Sequence, residues 1–143
     1  MAKLCRLAGV GVVSSPHTGP LHARLDMLRE AGVNVALGQD DCSDAYYPYG
    51  RCNMLEVAFL ASHILRKMSE SEAEDLYDMV TTEPARVMAI GGFGLKAGSD
   101  ANLVVLAQRT IRDAFTYHDR PRFVISHGRQ IAGSGDTDTR MTN

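Results

Sequence analysis

The sequence predicts an α/β fold at the front, a helical middle and a small β piece at the end, on three observations. Val10–Ser14 and Val33–Leu37 are short apolar runs flanking an amphipathic stretch, a strand–helix–strand order. From Met54 to about Ile90, apolar residues recur at helical spacing. Beyond Asn102, short apolar runs alternate with glycine-bearing turns, as in antiparallel strands.

Each element has its own justification. The N-terminus, MAKLCRLAGVGVVSSP, has a basic start and an apolar stretch, but Arg6 interrupts it. It therefore reads as a helix end leading into a strand and not as a signal peptide. The strand Val10–Ser14 ends in SSPHTGP, where Pro16, Gly19 and Pro20 mark a loop. Leu21–Ala31 puts Leu21, Leu25 and Leu28 on one helical face, and Gly32 stops it. Val33–Leu37 is nearly continuous in its hydrophobicity, as strands buried on both faces are. Two strands joined by a helix make a parallel crossover.

In the middle, Met54, Val57, Ala58, Ala61, Ile64, Leu65 and Met68 form one apolar face. Ser69 with Glu72, or Ser71 with Glu74, matches a capping box opening a second helix, with Ala73, Leu76, Tyr77 and Val80 as its buried face. A third helix begins near Thr82, has Pro84 in its first turn, and runs through Val87, Met88 and Ile90 to a Gly91-Gly92 stop. Gly94 and Gly98 mark a turn before a strand at Asn102–Leu106. Phe123–Ser126 and Arg129–Ala132 form a hairpin about His127-Gly128. Residues 134–143 are polar, lack periodicity and predict a loose tail.

Composition narrows the function. Hydrophobic residues make up 45% of the 143, enough for one ordinary core, and the net charge is −2. Scattered basic residues exclude a nucleic-acid interface, which needs clustered Lys and Arg. No apolar run approaches the roughly 18–20 residues that span a bilayer. Three cysteines without a CxxC pair, Cys5, Cys42 and Cys52, predict free thiols in a reducing cytoplasm.

The stretch VALGQDDCSDAYYPYG carries the candidate chemistry. In parallel sheets, functional groups gather at the carboxyl ends of the strands, which places Gln39, Asp40 and Asp41 there. Asp44 and the tyrosines Tyr46, Tyr47 and Tyr49 follow. Two readings stay open: a solvated acidic turn with packed tyrosines, or one wall of an active site. A paired-carboxylate hydrolase is the weaker form of the second, since adjacent residues on an extended segment point apart.

Three segments carry a resemblance: GVNVALGQDD, DAYYPYGRCNMLEVA and TTEPARVMAIGGFGLKAGSDANLVVL. In order, spacing and residue type, residues 1 to 133 resemble the C-terminal third of a cytosine deaminase-type metal-dependent amidohydrolase. The resemblance implies the last two strands of a (β/α)8 barrel with their helices (1–98), a remnant of a small β-sandwich (99–133) and a flexible tail (134–143). It implies hydrolytic deamination by a metal-bound hydroxide, with zinc or iron as the metal. Asp40 is then the metal-linked aspartate and proton carrier, Asp41 borders the substrate, and Tyr46 supplies a pocket aromatic. The tyrosine at that position leaves the ring accepted open.

The family's HxH pair, its further histidine ligands and its glutamate proton carrier are missing from this chain. His17, His22, His63, His118 and His127 show neither HxH nor HExxH spacing. His22 and His63 are expected on helices, His118 in a polar loop, His127 in a turn, and His17 beside the pocket. A single aspartate does not hold a catalytic metal, so no bound metal is expected for the chain alone. Three readings follow: a fragment without catalysis of its own, one chain of a split deaminase completed by a partner, or a non-catalytic assembly module. The missing strands also predict exposed apolar strand faces at Val10–Val13 and Val33–Leu37, and hence a homo-oligomer, a dimer in the simplest case.

Overall fold

A computed structural model describes residues 1–16, 22–40 and 42–133. The segment 134–143, expected as a loose tail, lies outside them. The chain divides into two compact units, Met1–Gly91 and Gly92 onward.

The first unit opens with helix α1 (Ala2–Leu7), then strand β1 (Val12–Ser14), α2 (Leu25–Glu30) and β2 (Val35–Leu37). The strands pair in parallel, with Val12 opposite Val35 and Ser14 opposite Leu37. The strand–helix–strand order is as the apolar runs predict, with shorter elements. α2 begins at Leu25, so His22 precedes the helix. The apolar spacing extends upstream of Leu25, but the chain there bends instead of coiling. α2 ends at Glu30, and Gly32, just past its cap Ala31, has a φ of +76° that suits a residue without a side chain.

Three helices follow: α3 (Met54–Leu65), α4 (Glu70–Val80) and α5 (Thr82–Val87). Asn53 caps α3 by accepting from the Leu55 amide at 3.0 Å. The capping box forms on the first of the two candidate pairs: Ser69 Oγ accepts from the Glu72 amide, and Glu72 Oε2 accepts from the Ser69 amide. Val57, Ala58 and Ala61 of α3 are buried and α3 packs on α4, whose buried residues are Leu76 and Met79. Met79 takes the place of Tyr77 and Val80, which are only half-buried. The predicted apolar faces of α3 and α5 overreach at their carboxyl ends, because Ile64, Met68, Met88 and Ile90 are exposed. α3 stops at Leu65 with Arg66 in a left-handed conformation, and α5 stops at Val87, so Met68, Met88 and Ile90 lie beyond the helices while Ile64 is exposed on the last turn of α3.

α2, α4 and α5 all contact β2, and Val35, Ala36 and Leu37 are buried. The expected exposure of Val33–Leu37 is therefore corrected: this chain's own helices and β1 bury β2 throughout. The expectation holds at Val13 of β1, which is 58% exposed, and at Val10 before the strand, which is also exposed. β1 pairs only with β2 among the described residues, leaving its other edge unpaired.

The second unit is a three-stranded antiparallel sheet in the order β3 (Leu103–Val105), β4 (Phe123–Ser126), β5 (Arg129–Gly133). The hairpin turns at His127 (φ 49°) and Gly128 (φ 76°), two consecutive positive values, as tight hairpins with the strands' own twist require. Asn102 Oδ1 accepts from the His127 amide at 2.9 Å and pins that turn. Helix α6 (Ile111–Tyr117) fills the β3–β4 connection, for which the sequence predicts no element, and His118, expected in a polar loop, follows it as the C-cap. Its signal is local: Thr110 Oγ1 accepts from the Asp113 amide, and Ala114 and Phe115 are its buried residues. No helix among the described residues is long and apolar enough to cross a membrane.

Candidate active site

The carboxyl ends of β1 and β2 are tied together beyond their ladder. The Gly38 amide donates to the Ser14 carbonyl at 3.0 Å. A side chain at Gly38 would bring its Cβ within 2.8 Å of Val13 Cγ1, so the strands approach closely only with glycine there. The Ser15 hydroxyl donates to the Gln39 carbonyl at 3.0 Å. The buried Ser14 hydroxyl accepts from the Ala23 amide at 3.1 Å, drawing the start of the α2 segment over β1.

Asp40 follows with a φ of 67°, a left-handed conformation that costs a non-glycine residue about 1 kcal/mol and turns the chain off the sheet. An open depression of about 520 Å³ sits at these strand ends, lined by Val13, Ser14, Ser15, His22, Ala23, Gly38 and Asp40. His22 was expected on a helix; the late start of α2 instead sets it on the rim with Asp40. Histidine spacing gave no sign of this, because the approach is made through the fold. Gln39 Nε2, on the residue between Gly38 and Asp40, is buried without a hydrogen-bond partner among the described residues.

The tyrosine loop leaves the sheet from Asp40. Asp44 Oδ1 accepts from the amides of Tyr46 at 2.8 Å and Tyr47 at 2.9 Å, a side-chain-stabilised turn. Ser43 Oγ donates to the Gly50 carbonyl at 2.6 Å across the loop. Cys42 and Cys52 are joined by a disulfide with their Cα atoms 5.5 Å apart, which corrects the expectation of free thiols; Cys5 alone is free. Sequence spacing missed the pair because the intervening turn, not proximity in the chain, brings the two Cα atoms within bridging distance.

The tyrosines part company on this loop. Tyr46 is 89% and Tyr49 82% exposed, so neither packs into a core. Tyr47 is half-buried, and burial, followed by the Glu56 carboxylate beside it, pushes its phenol pKa up. Glu56 lies buried in the first turn of α3, accepts from the Arg51 amide at 3.3 Å and pairs with Arg51 Nε at 3.6 Å. It thereby holds the end of the loop against α3, which no sequence signal indicated.

Of the residues singled out by sequence, Asp40 lines the depression, Tyr46 stands exposed on the loop, and Asp41 lies outside the described residues, as does His17. Among the described residues no group of three or more His, Cys, Asp or Glu side chains stands close enough to hold a metal ion. Asp40 by itself does not fit a catalytic metal, which takes three or more protein ligands.

The chain matches the model of the amidohydrolase family over residues 1–132. It is 30% identical over 119 residues to N-isopropylammelide isopropyl amidohydrolase of Pseudomonas sp. (strain ADP), which covers 82% of this chain and 28% of that protein. The structure of 5-methylcytosine deaminase from Klebsiella pneumoniae liganded with 5-fluorocytosine superposes with a TM-score of 0.80 at 27% identity, covering 97% of this chain and 37% of that one. N-isopropylammelide isopropylaminohydrolase from Burkholderia multivorans ATCC 17616 gives a TM-score of 0.84 at 28% identity, covering 92% of this chain and 34% of that one. The chain thus spans between about a quarter and two fifths of the length of these relatives. With the family model matched over residues 1–132, this chain belongs to the amidohydrolase family.

Proposed function

We propose that this chain is the C-terminal third of a cytosine deaminase-type (β/α)8 barrel, in which β1 and β2 are the last two strands. The second unit is then its share of the small β-sandwich. The observation that carries the reading is β1 itself: a parallel strand paired on one edge only among the described residues, with Val13 exposed, at whose carboxyl end Asp40 lines an open depression. A barrel strand needs a neighbour on each edge, and the other strands would come from sequence beyond this chain or from another polypeptide.

In the completed barrel the reaction would be hydrolytic removal of an exocyclic amino group from a flat nitrogen heterocycle of the pyrimidine or triazine kind. The relatives' names support that substrate class. This chain's share of the chemistry would be the Asp40 carboxylate, which accepts a hydrogen bond from the attacking water and carries its proton. Asp41 would border the ring, and Tyr46 would be carried over it by the loop. The zinc or iron that the family resemblance implies would be held mainly by residues of the missing strands, because among the described residues Asp40 belongs to no group of three or more His, Cys, Asp or Glu side chains that could hold a metal ion. The setting proposed for the assembly is the cytoplasm.

Co-expression with the N-terminal two thirds of a related deaminase tests this reading. A stable complex that binds metal and deaminates a cytosine-like ring, and loses activity with Asp40→Ala, is the expected result. A complex whose activity is indifferent to Asp40 would refute the assignment. A non-catalytic module would bind its partner equally well with and without Asp40.

A further inference from the structure

The loop from Cys42 to Cys52, which follows the Asp40 depression in the chain, is closed by a disulfide, and we propose that this pair is a thiol–disulfide switch setting how firmly the tyrosine loop is held. Its placement over a substrate rests on the deaminase reading; the redox response of the loop does not.

Three observations converge on the loop. First, residues 43–46, 48 and 49 of the loop are exposed, and its tip carries the Asp44 turn and the Ser43–Gly50 hydrogen bond, with Tyr47 half-buried beside Glu56. Second, Ser43 (φ 56°) and Cys52 (φ 52°), next to or within the bridge, are held in left-handed conformations that side chains rarely adopt. Such conformations persist where the surroundings over-determine them, and a covalent closure does so. Third, Cys52 is exposed and Cys42 is half-buried, so one sulfur of the pair is open to an attacking thiolate.

The step balances with an external dithiol as the reductant. Its thiolate attacks the Cys52 sulfur, the Cys42 sulfur leaves as thiolate and takes a proton, and the second thiol of the reductant resolves the mixed disulfide. Two electrons pass from the dithiol to the pair, leaving two protein thiols and an oxidised reductant. In the reduced state the far end of the loop stays anchored by Glu56 and Arg51, while the segment from Cys42 to Gly50 is freed from its closure.

Chymotrypsin reads this directly, because it cuts after Tyr46 and Tyr49, both exposed on the loop. The full chain, purified without reductant, is digested before and after dithiothreitol treatment, alongside C42S/C52S and a C5S control, with cleavage sites identified by mass spectrometry. The expected result is one free thiol in the oxidised chain and at least tenfold faster cleavage at Tyr46 and Tyr49 on reduction. C42S/C52S should be fast in both states, and C5S should behave as the parent. Equal cleavage rates in the two redox states, or three free thiols in the chain purified without reductant, would overturn the switch. None of these readouts involves deaminase activity, so they stand apart from the reconstitution test.

Discussion

The Ser15 hydroxyl donates to the Gln39 carbonyl at 3.0 Å, joining the residue after β1 to the second residue after β2 across the mouth of the candidate site. That bond, with the Gly38–Ser14 contact below it, fixes where the chain leaves the sheet and so where Asp40 stands. Ser15→Ala should cost about 1 kcal/mol, because the part-buried carbonyl loses its partner. Urea unfolding followed by circular dichroism measures it, and Ser15→Thr, which keeps the hydroxyl, should recover most of the loss.

The helical layer should be more sensitive than the site. Leu76 is fully buried in α4, which packs on α3, on α5 and on β2. Leu76→Ala should destabilise the first unit by about 3 kcal/mol, within the range for leucine truncation in a core. Ser69→Ala, which removes half of the capping box, should cost about 1 kcal/mol. A Leu76→Ala loss no larger than the Ser69→Ala loss would show that α4 is not the centre of this core.

Acid should act on the same helix end. Hydrogen bonds from Ser69 hold the Glu72 carboxyl below its ordinary pKa. A depressed folded-state pKa gives stability that is complete above the unfolded value and is lost as pH falls through the folded one. Unfolding curves from neutral pH down through the carboxylate range should therefore show a falling contribution from α4, and Glu72→Gln should flatten that part of the profile. Stability that rises as pH falls through this range would contradict the assignment.

Above neutrality the group to watch is Tyr47. Its raised pKa means that its neutral form is the one the fold favours, so its contribution is complete below the ordinary tyrosine pKa and fades as pH rises through the folded value. In a spectrophotometric titration, Tyr47→Phe should remove a phenol that ionises above the ordinary tyrosine value.

The open edge of β1 bears on both metal content and assembly. After loading with zinc or iron and dialysis, elemental analysis of the chain alone should give a metal-to-protein ratio near zero, unchanged in Asp40→Ala. Light scattering during sizing chromatography should find a homo-oligomer, a dimer in the simplest case, and Val13→Glu on the exposed β1 face should shift it towards monomer. A monomeric parent at micromolar concentration would show that the β1 face needs no second copy.

Periodicity and punctuation in the sequence determined most elements. The apolar runs ending at Ser14 and Leu37 specified paired strands, the two candidate capping boxes narrowed the start of α4 to Ser69 or Ser71, and His127-Gly128 specified the hairpin. These signals are local, because a cap, a turn or an alternating run acts within a few residues of itself. The family, too, was legible, since its motifs are contiguous stretches around Asp40 and Pro84.

Tertiary structure decided whatever depended on residues meeting from distant places or on how far a pattern is used. It buried β2 completely under α2, α4 and α5, where the sequence reading left it open, and it left Val13 exposed on β1. It unwound the start of α2, bringing His22 to the rim beside Asp40, and it closed Cys42 on Cys52. It also buried Glu56 against the tyrosine loop, an acid that reads as solvent-facing in a one-dimensional pattern. Burial and bridging depend on which surfaces meet after the chain has turned, and hydrophobic pattern alone does not encode that meeting.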